Sequence, residues 1–214
     1  MSVTARNRWL IWASRGLIAL GLLCLVYYSV VTVHTLRYQR AAKSQVEQMV
    51  SIGRPPVARA VVPEVSKPLK SGELIGRIDI PRIKLSAAIA EGDDDKTLGK
   101  AVGHLPDTPL PWHRRGNVAV AAHRDGLFRP LEKIRVGDDV RVVTARGEYR
   151  YKVTKTHIVD PDDVWVIAPT VAPTITLITC YPFSFVGNAP HRFIVQAELL
   201  TDIGVSALKG SVVR

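Results

Sequence analysis

Two cysteines occur in the 214-residue chain, and their surroundings differ. Cys24 lies in an apolar run, whereas Cys180 ends Thr174-Ile-Thr-Leu-Ile-Thr-Cys180, which reads as a strand. A thiol is a weak nucleophile until it is deprotonated, and a neighbouring cation favours the thiolate. A histidine can manage that proton and later hand one to a departing amine. An arginine stays charged and presents a fork of donors suited to an oxyanion or to substrate carbonyls. His123, at the end of Asn117–His123, and Arg192, at the start of Arg192–Leu199, are the candidates for these roles. Side chains alternate across a strand with period two. Cys180 therefore shares a face with Thr174, Thr176 and Ile178, His123 with Asn117, Ala119 and Ala121, and Arg192 with Ile194, Gln196 and Glu198. Each candidate falls on the less apolar face of its strand, as a groove on the outside of a barrel requires. A core cysteine, the plainer reading of a lone Cys180, is expected on the opposite face. The spacing of 57 residues between His123 and Cys180 does not decide the matter alone in a chain with six histidines.

These residues need strands to hold them. Runs of β-branched and apolar residues separated by turn signals occur at Leu74–Ile80, Leu85–Glu91, Asn117–His123, Val140–Thr144, Glu148–Val159, Thr174–Cys180 and Arg192–Leu199. Asp93–Asp95 ahead of Lys96–Lys100 reads as the acidic start of a short helix. Leu127–Ile134 reads as a helical turn, and His104–Gly116, with three prolines, as a loop. Many short strands and few helices predict an all-β domain. The pattern fits a closed barrel or a sandwich without choosing between them.

Upstream lies a different solvent. Gly16–Val33 holds 18 residues without a charge, and Trp9–Ala13 extends the apolar run past Arg15. That length suits a membrane span, with Trp9, Trp12, Tyr27 and Tyr28 towards its ends as interfacial anchors. The run is long for a signal-peptide core and no convincing small-x-small cleavage site follows Val33, so an uncleaved anchor is expected. The formal net charge of +10 is concentrated here: residues 1–43 carry six basic and no acidic residues, leaving 23 basic and 19 acidic beyond. Anionic lipid, rather than nucleic acid, is the partner this distribution implies. The expected organisation is a basic N-terminus at 1–8, an anchor at 9–34, a juxtamembrane stalk or linker at 35–72 and a catalytic domain at 73–214. Arg37–Met49 could continue as a short polar helix, and four prolines between 55 and 68 suggest extended chain beyond it.

Ala122-His123-Arg124-Asp125, with Leu127-Phe128-Arg129-Pro130-Leu131 behind it, resembles the histidine segment of bacterial sortases. Thr176-Leu177-Ile178-Thr179-Cys180 matches their TLxTC signature, and Arg192 in His191-Arg192-Phe193-Ile194-Val195 falls where their essential arginine follows the cysteine. Tyr181–Gly187 most resembles class D. The resemblance covers about Glu73 to Leu199 and implies an eight-stranded β-barrel with one or two short helices and a surface groove. It implies a cysteine transpeptidase that cleaves an LPxT-type sorting signal after threonine, forms a thioacyl intermediate on Cys180, and passes the acyl group to an amine of peptidoglycan or of a protein lysine. It implies Cys180, His123 and Arg192 as catalytic residues and Thr179 and Ala122 as substrate-binding ones. The anchor would then sit in the cytoplasmic membrane as a single pass with its N-terminus inside and the catalytic domain outside.

Other readings remain. An exported cysteine peptidase or L,D-transpeptidase-like enzyme would share the Cys/His chemistry, and a non-catalytic membrane-anchored assembly domain would leave Cys180 unreactive. No cofactor is expected; calcium at Glu91, Asp93, Asp94 and Asp95 is the alternative, against a solvated acidic turn. Leu105-Pro-Asp-Thr108 resembles a sorting signal but lies mid-domain and is read as a structural loop. His104, His113, His157 and His191 are read as surface or loop residues, and Asp125 as a turn residue as much as an orienter of His123.

Overall fold

The computed structural model describes residues 3–52, 68–185 and 187–200. Its strands are β1 (Leu74–Ile80), β2 (Leu85–Glu91), β3 (Val102–His104), β4 (Asn117–Ala121), β5 (Asp139–Thr144), β6 (Gly147–Val159), β7 (Thr174–Tyr181) and β8 (His191–Leu199). They close into one barrel in the order β1-β2-β3-β4-β7-β8-β6-β5, so no strand edge is left open. Seven of these strands stand where the alternating runs predict them. The eighth, β3, falls partly in the stretch read as loop. It runs parallel to β2 and antiparallel to β4, and so bridges two strands that do not otherwise pair. Gly103 at its centre is required, because a Cβ there would land on the Gly92 carbonyl oxygen and the Leu98 side chain.

Inward-facing residues of every strand fill the barrel. Ile78, Ile89, Val142, Tyr151, Ile175 and Leu177 are among those wholly removed from water. Phe128 and Leu131, from the turn after His123, plug one end of the same core. The expected helical turn there is a 3₁₀ turn at Arg129–Lys133. The acidic turn does open a helix, α2 (Asp95–Leu98), capped by Asp94. The Asp94 carboxylate accepts hydrogen bonds from the Ser71 hydroxyl (2.6 Å) and from the hydroxyl and amide of Thr97. These bonds, that from Ser71 foremost, hold its pKa down to about 2.

One long helix, α1 (Val3–Ile52), precedes the barrel. Its side chains are described from Trp12 to Gln48. Leu17, Leu23, Val26, Tyr27, Tyr28 and Val33 are exposed along it, the apolar surface of a helix long enough to cross a bilayer. This segment fits a single-pass membrane anchor. The helix does not end at the expected start of the stalk. Thr35, Gln39, Ala42 and Val46, spaced four, three and four residues apart, form a stripe against the barrel, and Ala42 and Val46 are buried. The Gln39 amide clamps the contact by donating to the Lys100 carbonyl (2.6 Å) and accepting from the Ala88 amide (2.8 Å). The remainder of the expected linker, 53–67, and the end of the expected catalytic domain, 201–214, lie outside the described residues.

Candidate active site

The strand register brings the three candidates together. β4 and β7 run parallel, with Ala121 opposite Ile178. Two residues further on, His123 comes level with Cys180. On the other side β7 and β8 run antiparallel, and Cys180 is the direct partner of Arg192. A neighbouring strand lies about 4.8 Å away, so Cys180 has His123 beside it on one strand and Arg192 on the other. All three side chains point away from the barrel interior, because Val118, Val120 and Ala122 at and after β4, Ile175 and Leu177 of β7, and Val195 and Ala197 of β8 occupy it. His123 is exposed, and Cys180 and Arg192 are half-buried. Arg192 donates to the carbonyls of Ala189 (3.3 Å) and His191 (3.1 Å), and none of the described ion pairs gives it a carboxylate partner. Its charge is therefore positioned but not neutralised.

The floor of the groove continues along the outer faces of β4, β7 and β8. Asn117 links β4 to β7 and to the segment before it: its amide donates to the carbonyls of Val166 (2.9 Å) and Ala168 (3.2 Å) and accepts from the Thr176 hydroxyl (2.7 Å). These bonds hold the segment between β6 and β7, with its 3₁₀ turn at Val164–Ile167, across this face as one wall. The opposite end is fixed by arginines. Arg124 donates to the carbonyls of Phe185 and Gly187, both at 2.8 Å, and Arg129 to that of Phe183 (2.6 Å). The turn after His123 thereby grips the segment after Cys180. Beneath, Tyr181, Phe183 and Phe193 pack edge-on and stacked, with ring centroids 5.4–6.3 Å apart. Such pairs are worth about 0.5–1.5 kcal/mol each beyond their buried area.

The sequence model of the Sortase domain family matches residues 78–200, which is more than half of the chain and includes all three candidates. The chain belongs to the sortase family. It is 38% identical over 133 residues to Sortase D of Bacillus subtilis, covering 62% of this chain and 67% of that protein. To Sortase A of Bacillus anthracis it is 28% identical over 145 residues, covering 66% and 65%. Its fold matches the Clostridium perfringens Sortase D5 transpeptidase with a TM-score of 0.59 at 25% identity, over 77% of this chain and 97% of that one. Sortases are transpeptidases, and the Bacillus subtilis and Clostridium perfringens relatives, both of the D type, support class D.

In this sortase Thr179 and Ala122 stand next to the site but do not open onto it. Both side chains face inward and are buried, Thr179 at 2% exposure and Ala122 at 6%. Alternation dictates this, since Thr179 precedes Cys180 and Ala122 precedes His123. The Thr179 hydroxyl instead donates to the Ala122 carbonyl (2.8 Å), a tie between β7 and the end of β4. Only their backbones are offered to the groove.

Several polar residues have other partners than the sequence suggests. His104, read as a surface residue, is buried on β3, with Nδ1 2.8 Å from Glu91 Oε2 and Nε2 3.2 Å from both the Pro109 carbonyl and the Thr108 hydroxyl. The Leu105–Thr108 segment is folded into this network, and the Thr108 hydroxyl also accepts from the Ala119 amide (3.1 Å). Glu91 turns inward and Asp94 caps α2, so two of the four carboxylates considered for calcium hold the fold. Among the described residues no three or more His, Cys, Asp or Glu side chains converge as a metal site would need. His157 is half-buried against Trp165 (5.7 Å), and His191 pairs with Asp160 (2.9 Å), tying β8 to the end of β6. The turn after His123 is closed by the amides of Gly126 and Phe128 on the His123 carbonyl. The gripping arginines Arg124 and Arg129 were not foreseen, because backbone carbonyl acceptors leave no trace in a sequence.

Proposed function

We propose that this sortase is a cysteine transpeptidase that cleaves an LPxT-type sorting signal after its threonine and transfers the acyl group to an amine. The Cys180 thiolate attacks the threonine carbonyl carbon, and the oxygen that becomes negative is met by the Arg192 guanidinium. His123, as imidazolium, gives its proton to the departing amine when the C–N bond breaks, which leaves a thioester on Cys180. An incoming primary amine attacks that thioester. His123 takes up the amine's proton, and Cys180 departs as thiolate once the new amide has formed. The amine belongs to peptidoglycan or to a protein lysine, and the reaction joins the client protein to the envelope or to another protein. The anchor lies in the cytoplasmic membrane with its N-terminus inside, which puts the groove on the outer side. Thr179 and Ala122 contribute to substrate binding through the backbone that flanks Cys180 and His123.

The observation that carries this reading is the register in which Arg192 is the cross-strand partner of Cys180 and His123 comes level with it from the other side. The test uses the full chain with fluorogenic LPxTG and LPxTA peptides, with and without an amine acceptor, beside Cys180→Ala. Amine-dependent ligation that vanishes in the variant is expected, and the preferred peptide names the fifth residue. Cleavage without ligation at any acceptor concentration would make the protein a peptidase. Turnover of neither peptide, with a Cys180 that alkylates like a free thiol, would remove the catalytic reading.

A further inference from the structure

The position of the barrel relative to the lipid follows from α1 and from what α1 touches. The helix is uninterrupted from Val3 to Ile52 and contains no proline. Its uncharged stretch, Gly16–Val33, is about 27 Å long at 1.5 Å per residue, close to the hydrocarbon thickness of a bilayer. The helix therefore leaves the hydrocarbon near Val33. Contact with the barrel begins at once: the Thr35 hydroxyl donates to the Gly99 carbonyl (3.2 Å), and one turn later Gln39 clamps Lys100 and Ala88. Gly99 is thus only about 3 Å further along the axis than the last apolar residue, inside the depth of a headgroup layer. A barrel on a free stalk would make no such contacts.

Basic residues outnumber acidic ones at this corner, five to three, and most of the positive charge comes from α1. Arg37, Arg40 and Lys43 project from α1, and residues 34–43 contain no acid. The barrel adds Lys96 and Lys100, and the Lys100 ammonium lies 5.0 Å from the centre of the Tyr38 ring, an aromatic residue at interfacial depth. The acids nearby are Asp93, Asp94 and Asp95 at the start of α2; Ser71 and Thr97 hydrogen-bond Asp94 and keep it ionised, so these carboxylates offset part of the positive charge.

We propose that the corner formed by α2 and the turn into β3, together with Arg37, Arg40 and Lys43 of α1, is a docking surface for anionic phospholipid headgroups, so that the barrel lies on the bilayer. This rests on reading α1 as a membrane anchor. Antiparallel pairing of Gly103 with Ala121 puts Ala101 level with His123, so the docked corner is one strand away from the histidine edge of the groove.

The test uses the full chain reconstituted into vesicles of phosphatidylcholine, alone or with phosphatidylglycerol, in a Cys24→Ala, Cys180→Ala background. A fluorophore is attached at Lys96→Cys or, as the control, at Lys155→Cys. Lys155 is exposed on β6, four strands from β3 in either direction round the barrel. Headgroup spin-labelled lipid is the quencher. The 96 label should be quenched several-fold more than the 155 label, more so with phosphatidylglycerol, and this increment should fall with salt and disappear in Arg40→Glu, Lys100→Glu. Failure of the chain to float with vesicles would overturn the anchor reading itself. Flotation with equal quenching at 96 and 155 would overturn the docking while the anchor stands. Quenching at 96 that ignores phosphatidylglycerol would overturn the anionic headgroup as the occupant.

Discussion

Replacing Thr179 by valine tests whether the inward side of the strands sets the outward geometry. The Thr179 hydroxyl is buried and donates to the Ala122 carbonyl at 2.8 Å, between the positions that present Cys180 and His123. Valine keeps the shape and removes the donor. Loss of a buried hydrogen bond whose acceptor stays behind costs about 1–3 kcal/mol. In a domain of this size that lowers Tm by about 2–4 °C per kcal/mol. The kinetic effect should be larger than the stability change alone explains, because a shift on the order of 1 Å between reacting groups costs about 10²-fold in rate. Thr179→Ser keeps the donor and loses one buried methyl, worth about 0.8 kcal/mol. The assay is kcat/KM for peptide-to-amine transfer beside thermal unfolding of both variants. Thr179→Val should lose rate chiefly in kcat, whereas Thr179→Ser should keep it despite its own small loss of Tm. Equal rates in valine and wild type would refute the tie. So would equal loss in serine and valine, and a loss confined to KM would return Thr179 to direct substrate binding.

Three further outcomes are expected. Arg192→Lys keeps the charge but not the fork, and should lower kcat by about 10²-fold, the scale for removing one oxyanion donor, with the Tm unchanged; recovery of wild-type kcat would argue against an oxyanion role. Asp138 is buried and accepts from Arg82 Nη2 at 2.7 Å and from the Arg135 amide at 2.8 Å. The Arg82 hydrogen bond, above all, holds its carboxyl below the ordinary range. The stability it contributes is present above the ordinary carboxylate pKa and lost as pH falls through the lowered one, so Asp138→Asn should be less stable by about 1–3 kcal/mol at pH 7 and show a flatter acid limb in Tm against pH. Gly103→Ala forces a Cβ onto the Gly92 carbonyl and should cost about 1–3 kcal/mol or more by overpacking, measured by denaturant unfolding.

Much of the barrel was legible because period-two alternation survives wherever one face is buried. Leu74–Ile80 and Leu85–Glu91 form with the bounds their residue types indicate. β3 was illegible because three residues with a central glycine carry no period, and its existence depends on Gly92 and Leu98 lying against it. His104 was misread for the same reason: once β3 is unseen, nothing turns that ring inward towards Glu91. At the site, the facing of Cys180, His123 and Arg192 could be read strand by strand. The register that puts them on one level is long-range and could not. The docked half of α1 was hidden differently, since its stripe is Thr35, Gln39, Ala42 and Val46, only one of them strongly apolar.

The parallel pairing of β4 with β7 has a consequence for the order of folding. Parallel neighbours cannot be joined by a hairpin, so the chain between them makes the β5–β6 hairpin, whose strands pair with β1 and β8. The chain entropy lost in these long closures precedes the contacts that offset it, which makes such steps slow. His123 is synthesised well before Cys180, and Arg192 lies on the last of the described strands, which must enter between β7 and β6 to seal the ring. A chain whose ring is not yet sealed therefore carries an imidazole and a thiol that are not yet neighbours of a guanidinium. The three meet only when the ring is sealed, so enhanced thiol reactivity in a refolding experiment should report the final, slowest phase and not the earlier formation of hairpins.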